Sequence, residues 1–256
     1  MIKRYHVRVA FWIGLVGGAF GGLAGLGGGV LVVPLLVSRM GLTQVRAHGT
    51  SLVAVLCTGV VGALGYALGG QLNVVAALLL ASMAMVAARF GARAAHALPE
   101  WQLKRGFGFY LLIAALLLII KPYLPAVGWA ERGWGQVAIL LLFGGLAGFL
   151  SGMMGVGGGG IMVPAMVLLG GFGQHLAQGT SLLAMVPSSS VGVYTHYELG
   201  GIERKILPGL LVGVLLGSFL GARVAHLIPD AGLRWIFAVV IAWMSLRYLQ
   251  ARPAPA

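Results

Sequence analysis

Residues 21–34 read GGLAGLGGGVLVVP, and residues 151–164 read SGMMGVGGGGIMVP. Aligned at an offset of 130 residues, Gly22, Gly25, Gly27, Gly28, Gly29 and Pro34 meet Gly152, Gly155, Gly157, Gly158, Gly159 and Pro164. The register holds downstream. Ala47-His48-Gly49-Thr50-Ser51-Leu52 faces Ala177-Gln178-Gly179-Thr180-Ser181-Leu182, and Gly91-Ala92-Arg93-Ala94-Ala95-His96 faces Gly221-Ala222-Arg223-Val224-Ala225-His226, with Pro99 opposite Pro229. A motif that recurs in one register over this distance marks two copies of one unit. The copies are expected at 1–127 and 128–256, together forming one integral membrane domain.

Around these runs the chain is 59% hydrophobic and 9% charged, with a mean hydropathy of +0.98. A soluble domain cannot hide that much apolar surface. Apolar stretches lie at 9–37, 49–68, 72–98, 106–120, 135–170, 180–197, 206–228 and 231–249. Their length and continuity predict helices rather than barrel strands, which are near ten residues and alternate in polarity. The expected fold is all-α, a polytopic bundle of two four-segment repeats. Lys3, Arg4 and Arg8 precede an apolar stretch as in a signal peptide, but that stretch is too long for a signal core and contains the first repeat motif, so it is read as retained. Cys57 is the only cysteine, which excludes a disulfide within the chain and argues against a thiolate metal site. The net charge of +12 is scattered through short loops, with no basic stretch to hold nucleic acid.

The first and fifth segments are too long for one span and carry glycine in their middle. Twenty-nine helical residues reach about 43 Å, against a hydrocarbon core of about 30 Å. Each broken segment either crosses once and overshoots or turns back, as a re-entrant hairpin or as paired tight spans. Loop charges discriminate between the two, because cytoplasmic loops favour Lys and Arg. With single crossings and the N-terminus inside, the 17 Lys and Arg divide nine against eight. If each broken segment turns back, only Lys121, Arg132, Arg223 and Arg234 fall outside, against thirteen inside. The second arrangement leaves three crossings per repeat, so the two repeats enter the membrane inverted and both termini are cytoplasmic. Inverted repeats with discontinuous helices describe a secondary transporter whose site lies near the midplane.

Gly27, Gly28 and Gly29, with Gly157, Gly158 and Gly159, lie at mid-segment. Irregular backbone at that depth survives only against protein or a water-filled cavity. One reading is close helix packing, as for the stripe Gly209, Gly213, Gly217 and Gly221, which can bury within the bundle or against a second copy in a homodimer. The other is an anion site built from freed amides and a half-helix N-terminus. Thr50, Ser51, Thr180 and Ser181, read as opening the following segments, would cap those helices or offer hydroxyls to an oxyanion. His48 and Gln178 occupy matching positions. A histidine can carry a transported proton, yet replacement by Gln in the other half favours an interfacial place. Arg89 could draw anions toward the cavity, while Arg93, Arg223, His96 and His226 are expected to snorkel. Pro187-Ser188-Ser189-Ser190 is expected to break the sixth segment, with Ser188 a gating candidate, and Tyr194, His196, Tyr197 and Glu198 to form an interface belt. The carboxylates Glu100, Glu131, Glu198, Glu203 and Asp230 all fall at segment ends or in loops. A cation path normally needs an intramembrane carboxylate, so an anion or a neutral molecule is the expected cargo. Nothing resembles a catalytic constellation, so no enzyme, metal or cofactor is expected.

The run GGLAGLGGGVLVVPLLV followed by HGTSL, with its second copy GFLSGMMGVGGGGIMVPAMVLLGG followed by QGTSL, resembles the TauE/SafE sulfite exporter family of membrane permeases. The resemblance spans nearly the whole chain. It implies transport of sulfite, sulfonates or related sulfur-containing anions across the cytoplasmic membrane. The family motif falls on Gly27 to Gly29, Pro34, Gly157 to Gly159, Pro164 and the two Thr-Ser pairs. A passive anion channel is the competing class.

Overall fold

The computed structural model describes residues 2–95, 100–123 and 133–251. His96, Pro99, Glu131 and Arg132 lie outside them. Among the described residues ten α-helices follow in order: α1 (Ile2–Ala24), α2 (Gly29–Met40), α3 (Gln44–Leu68), α4 (Val74–Ala94), α5 (Glu100–Ile120), α6 (Trp134–Met154), α7 (Gly159–Leu168), α8 (Gln174–Glu198), α9 (Leu207–Leu227) and α10 (Asp230–Leu249). The expected eight segments become ten helices because each glycine-broken segment is two. The 130-residue register persists in the fold: α3 and α8 start and end at matched positions, and so do the starts of α2 with α7 and of α5 with α10.

The breaks are made by backbone that only glycine adopts easily. Gly25 and Gly27 stand at φ 68° and 81°, and Gly155 and Gly157 at φ 65° and 87°, the left-handed region that a Cβ disfavours. Beyond the break α2 doubles back along α1, since Gly17 lies against the Val32 side chain and Gly21 against the Gly27–Gly28 backbone. At 12 residues α2 is about 18 Å long, too short for a bilayer core. The segment therefore folds back on α1 instead of extending it.

Among the described residues seven helices are long and apolar enough to cross a membrane: those of α1, α3, α4, α5, α6, α9 and α10. α8 has the 25 residues of α3 but is less apolar. Its Gln174, Gln178, Thr180, Ser181, Ser188, Ser189 and His196 are all buried, so their polarity is turned into the bundle. The outer surface is instead apolar, with Leu78, Val86, Leu116, Leu220 and Val239 exposed, as lipid contact demands.

Small residues set how the helices pair. Gly209, Gly213, Gly217 and Gly221 of α9 sit on the backbone of Val7, Phe11, Leu15 and Ala19, at a constant sequence separation; α1 and α9 thus run parallel in close contact. The stripe is consumed within the chain. In the same way Gly144, Gly148 and Gly152 of α6 sit on Leu80, Ala84 and Ala88 of α4, again parallel. Between α3 and α8, Gly192 faces Leu52 and Gly62 faces Leu182, an antiparallel pairing. Ser245 of α10 donates to the Gly108 carbonyl of α5 at 2.7 Å, and the Arg105 Nε donates to the Ala251 carbonyl at 3.0 Å, so α5 and α10 are antiparallel too.

Several local expectations change. Thr50-Ser51 and Thr180-Ser181 do not open α3 and α8; they lie in the second turn, because the helices begin at Gln44 and Gln174. They therefore cap neither helix. Pro187 does not break α8. The helix runs through it, and Ser188 and Ser190 donate back to carbonyls of their own helix: Ser188 to Ala184 and Met185 at 3.2 Å, and Ser190 to Val186 at 2.8 Å. His196 is no part of an interface belt: it is fully buried, with Nε2 at 3.0 Å from the Gly152 carbonyl. His226 likewise turns inward, Nε2 at 3.0 Å from the Gly65 carbonyl, whereas Arg93 and Arg223 are exposed.

Candidate functional site

The glycine loops between α1 and α2 and between α6 and α7 meet at the centre of the bundle. Gly29 packs on the backbone of Gly155 and Val156, and Gly159 on that of Gly25 and Leu26. Gly27, Gly28, Gly29, Gly157, Gly158 and Gly159 are all buried. No side chain caps either α2 or α7: their N-cap residues are Gly28 and Gly158. In α2, Leu31 and Val32 donate to the Gly28 carbonyl, and in α7, Ile161 and Met162 donate to that of Gly158. The amides ahead of them, at Gly29–Val30 and Gly159–Gly160, are the orphan donors of a helix start. Two helix N-termini, each a partial positive charge of about half a unit, are thus buried side by side with only backbone N–H groups to offer.

The Thr-Ser pairs hold these loops across the two halves. Ser51 on α3 donates to the Gly155 carbonyl at 2.8 Å, and its counterpart Ser181 on α8 donates to the Gly25 carbonyl at 3.3 Å. In a trans peptide, C=O and the following N–H point in opposite directions, so pinning those carbonyls turns the Val156 and Leu26 amides away from the serines. Thr50 accepts from the Glu203 amide at 3.0 Å, and Thr180 from the Asn73 amide at 3.0 Å. Glu203 and Asn73 lead into the 3-10 turn before α9 and into α4. Each hydroxyl of this quartet is fully buried and bonded to the opposite half. The threonine hydroxyls, used as acceptors here, keep a proton to donate.

Val55 and Met185, also counterparts, fill the space between the loops. A Cβ at Gly27 would lie 2.9 Å from Val55 Cγ1 and 3.0 Å from Met185 Sδ; at Gly157 both would be at 3.4 Å. A cavity of about 300 Å³ lies beside the second glycine loop. Val30, Val33, Pro34, Val37, Gln44 and His48 line it from α2 and α3, Met154 and Val156 from the second glycine loop, and Trp243, Met244, Arg247 and Tyr248 from α10. His48 is 3% exposed, inside the bundle rather than at the interface expected for it. On the opposite side the matching gap is closed: Gly160 of α7 lies against Leu111 and Phe107 of α5, and the Tyr110 hydroxyl donates to the Ile161 carbonyl at 3.3 Å.

The site thus gathers the glycine runs, both Thr-Ser pairs, Gln178 and, along the cavity, His48. Ser188 faces its own helix. Arg89 is exposed on α4, away from the loops. Sequence reasoning missed Tyr66, Val55, Met185 and Trp243; Val55 and Met185 carried the only available signal, their repeat offset. The described carboxylates Glu198, Glu203 and Asp230 lie at helix ends or in a loop.

A bundle with apolar exterior and buried, uncapped helix ends inside it defines a membrane permease rather than a soluble binding protein. The chain belongs to the sulfite exporter TauE/SafE family, whose profile matches residues 10–248. Among its relatives, the probable membrane transporter protein YunE of Bacillus subtilis is 27% identical over 253 residues, covering 90% of this chain and 92% of YunE. Probable membrane transporter protein YdhB of the same organism is 27% identical over 233 residues, covering 89% and 92%. Sulfite exporter TauE/SafE family protein 3 of Arabidopsis thaliana is 40% identical over 114 residues, 43% of this chain and 23% of that protein. No solved structure matches the chain.

Proposed function

We propose that the protein is a secondary transporter that moves small sulfur-containing anions, such as sulfite or organosulfonates, across the cytoplasmic membrane, binding them where the two glycine loops meet. The observation that carries this reading is the pair of buried, uncapped helix N-termini at Gly28 and Gly158, one from each half, which suits an oxyanion and repels a cation. In this reading the repeats, 1–127 and 128–256, are inverted across the bilayer, with both termini cytoplasmic. The antiparallel pairing of counterpart helices α3 with α8 and α5 with α10 supports the inversion, as does the loop charge. The names of relatives supply the substrate class; the chemistry of the loops supplies only its charge.

A carrier needs a site reached from one side at a time. The cavity beside α2 and α10, the closed counterpart between α5 and α7, and the Val55–Met185 partition between the loops favour a carrier over a passive anion channel. Uptake into reconstituted vesicles tests both: sulfite, thiosulfate, sulfonates and carboxylates are offered with and without a proton gradient. Saturable uptake accelerated by the same anion preloaded inside is expected. Conductance that rises linearly with concentration, without that acceleration, would establish the channel.

A further inference from the structure

We infer that Gln178 donates a hydrogen bond to the bound anion and that Tyr66 is the positioning residue that aims it. This rests on the anion-site reading above and gives it a side-chain donor. Gln178 is fully buried on α8, one turn before Ser181, with its Cα, Cβ and Cγ against Gly25 of the first glycine loop. Its Oε1 takes the Tyr66 hydroxyl at 2.7 Å, the length of an O–H···O bond and short for N–H···O. Oε1 is the end of the amide placed toward Tyr66. The other end, Nε2, has no partner.

A buried NH2 group left unbonded is costly, and native proteins rarely keep one without use. Whatever completes it must accept hydrogen bonds. The Gly25–Leu26 loop that Gln178 touches packs on Gly159, and the Gly159 and Gly160 amides at that helix start are also donors only. A ligand that satisfies both must accept hydrogen bonds from two directions, which a sulfite- or sulfonate-like oxyanion does with separate oxygens and a cation cannot do. Tyr66 is itself anchored: its hydroxyl lies 3.1 Å from the Leu23 carbonyl, and its ring packs on His226 at 5.1 Å between centroids. The repeat counterparts of Gln178 and Tyr66 are His48 and His196, so the neutral amide arm has no copy at the symmetry-related place and keeps its donor at every pH.

The test uses the purified full chain, with sulfite as the probe and sodium chloride at matched ionic strength as control. Sulfite is expected to raise the thermal midpoint of the wild-type protein through binding to the folded state, and chloride is not. Gln178→Leu is expected to melt at or above the wild-type midpoint without anion, because it removes an unbonded donor and leaves Tyr66 its Leu23 partner. Its half-saturating sulfite concentration, and its KM for uptake, should rise at least tenfold. Tyr66→Phe should raise both several-fold, with kcat little changed. A Gln178→Leu protein with the wild-type sulfite response overturns the inference and leaves the anion site standing. A lowered midpoint with an unchanged sulfite response assigns Gln178 to packing and overturns it as well. If Gln178→Leu does not accumulate, an unaltered sulfite response in Tyr66→Phe has the same force. A wild-type protein that answers to no anion removes the anion-site reading and this inference with it.

Discussion

At Gly27 two constraints coincide: the backbone is at φ 81°, and a Cβ would meet Val55 Cγ1 at 2.9 Å and Met185 Sδ at 3.0 Å. Gly41 has a similar φ of 66° with nothing within 4 Å. Both alanine substitutions strain the backbone by about 1–2 kcal/mol, so the difference between them isolates crowding. Gly27→Ala is expected to lower the thermal midpoint more than Gly41→Ala and to abolish uptake, while Gly41→Ala transports normally; equal effects would show that only the turn matters. Met185, fully buried between the loops, gives the opposite test. Met185→Ala should cost about 2–5 kcal/mol, as core truncations do, and should let anions leak without preloading, read as uptake that no longer saturates. Of these residues the glycines were legible, because repetition singles them out. Tyr66 was not, since its counterpart is His196 and no repeat comparison of sequence pairs the two chemically. The serine hydroxyls were legible as polar but not as latches, because their acceptors, the Gly155 and Gly25 carbonyls, are backbone atoms 104 and 156 residues away in sequence.

Helices meet here through absent side chains. Without a hydrophobic drive between helices in lipid, close backbone approach supplies the contact energy, and α6 shows how local the requirement is. A Cβ at Gly148 would come within 2.7 Å of the Ala84 carbonyl carbon, whereas one at Gly145 meets only Met83 Cβ, at 3.8 Å. Gly148→Ala should therefore separate α6 from α4 and lower the thermal midpoint, whereas Gly145→Ala should leave it unchanged or raise it, since alanine favours a helix by about 1 kcal/mol over glycine. Equal midpoints for the two variants would refute the close-approach account of the α4–α6 pair. The apolar runs located the helices to within a few residues for most elements, and failed where composition and structure part. Pro187 looked like a break, yet the α8 backbone is held by its serines and its neighbours. Gln174 through Gly179 fell between two apolar segments, yet burial of Gln174, Ala177, Gln178 and Gly179 goes with their place at the start of a 25-residue helix.

For the whole molecule, the repeat offset carried over to the helix order, but the sequence could not say which side is open, because two similar halves can exchange conformations. In this structure they have not exchanged: Val37 lines the cavity beside α10, while its counterpart Val167 is 1% exposed within the α7 core. The chain contains one natural cysteine, Cys57, so a Cys57→Ala protein gives a silent background for labelling. Val37→Cys in that background should react with a membrane-impermeant thiol reagent applied from the side of the termini, and Val167→Cys should resist it from either side. An imposed anion gradient that drives turnover should slow labelling at position 37 and raise it at position 167 from the opposite side, since one helix pair closes as the other opens. Conformational equilibria of this kind shift only by the difference in a ligand's affinity for the two states, so the two changes should follow the same anion concentration dependence. Labelling at position 37 that ignores the anion, with position 167 silent throughout, would mean that the cavity is a fixed feature and that the halves do not trade places.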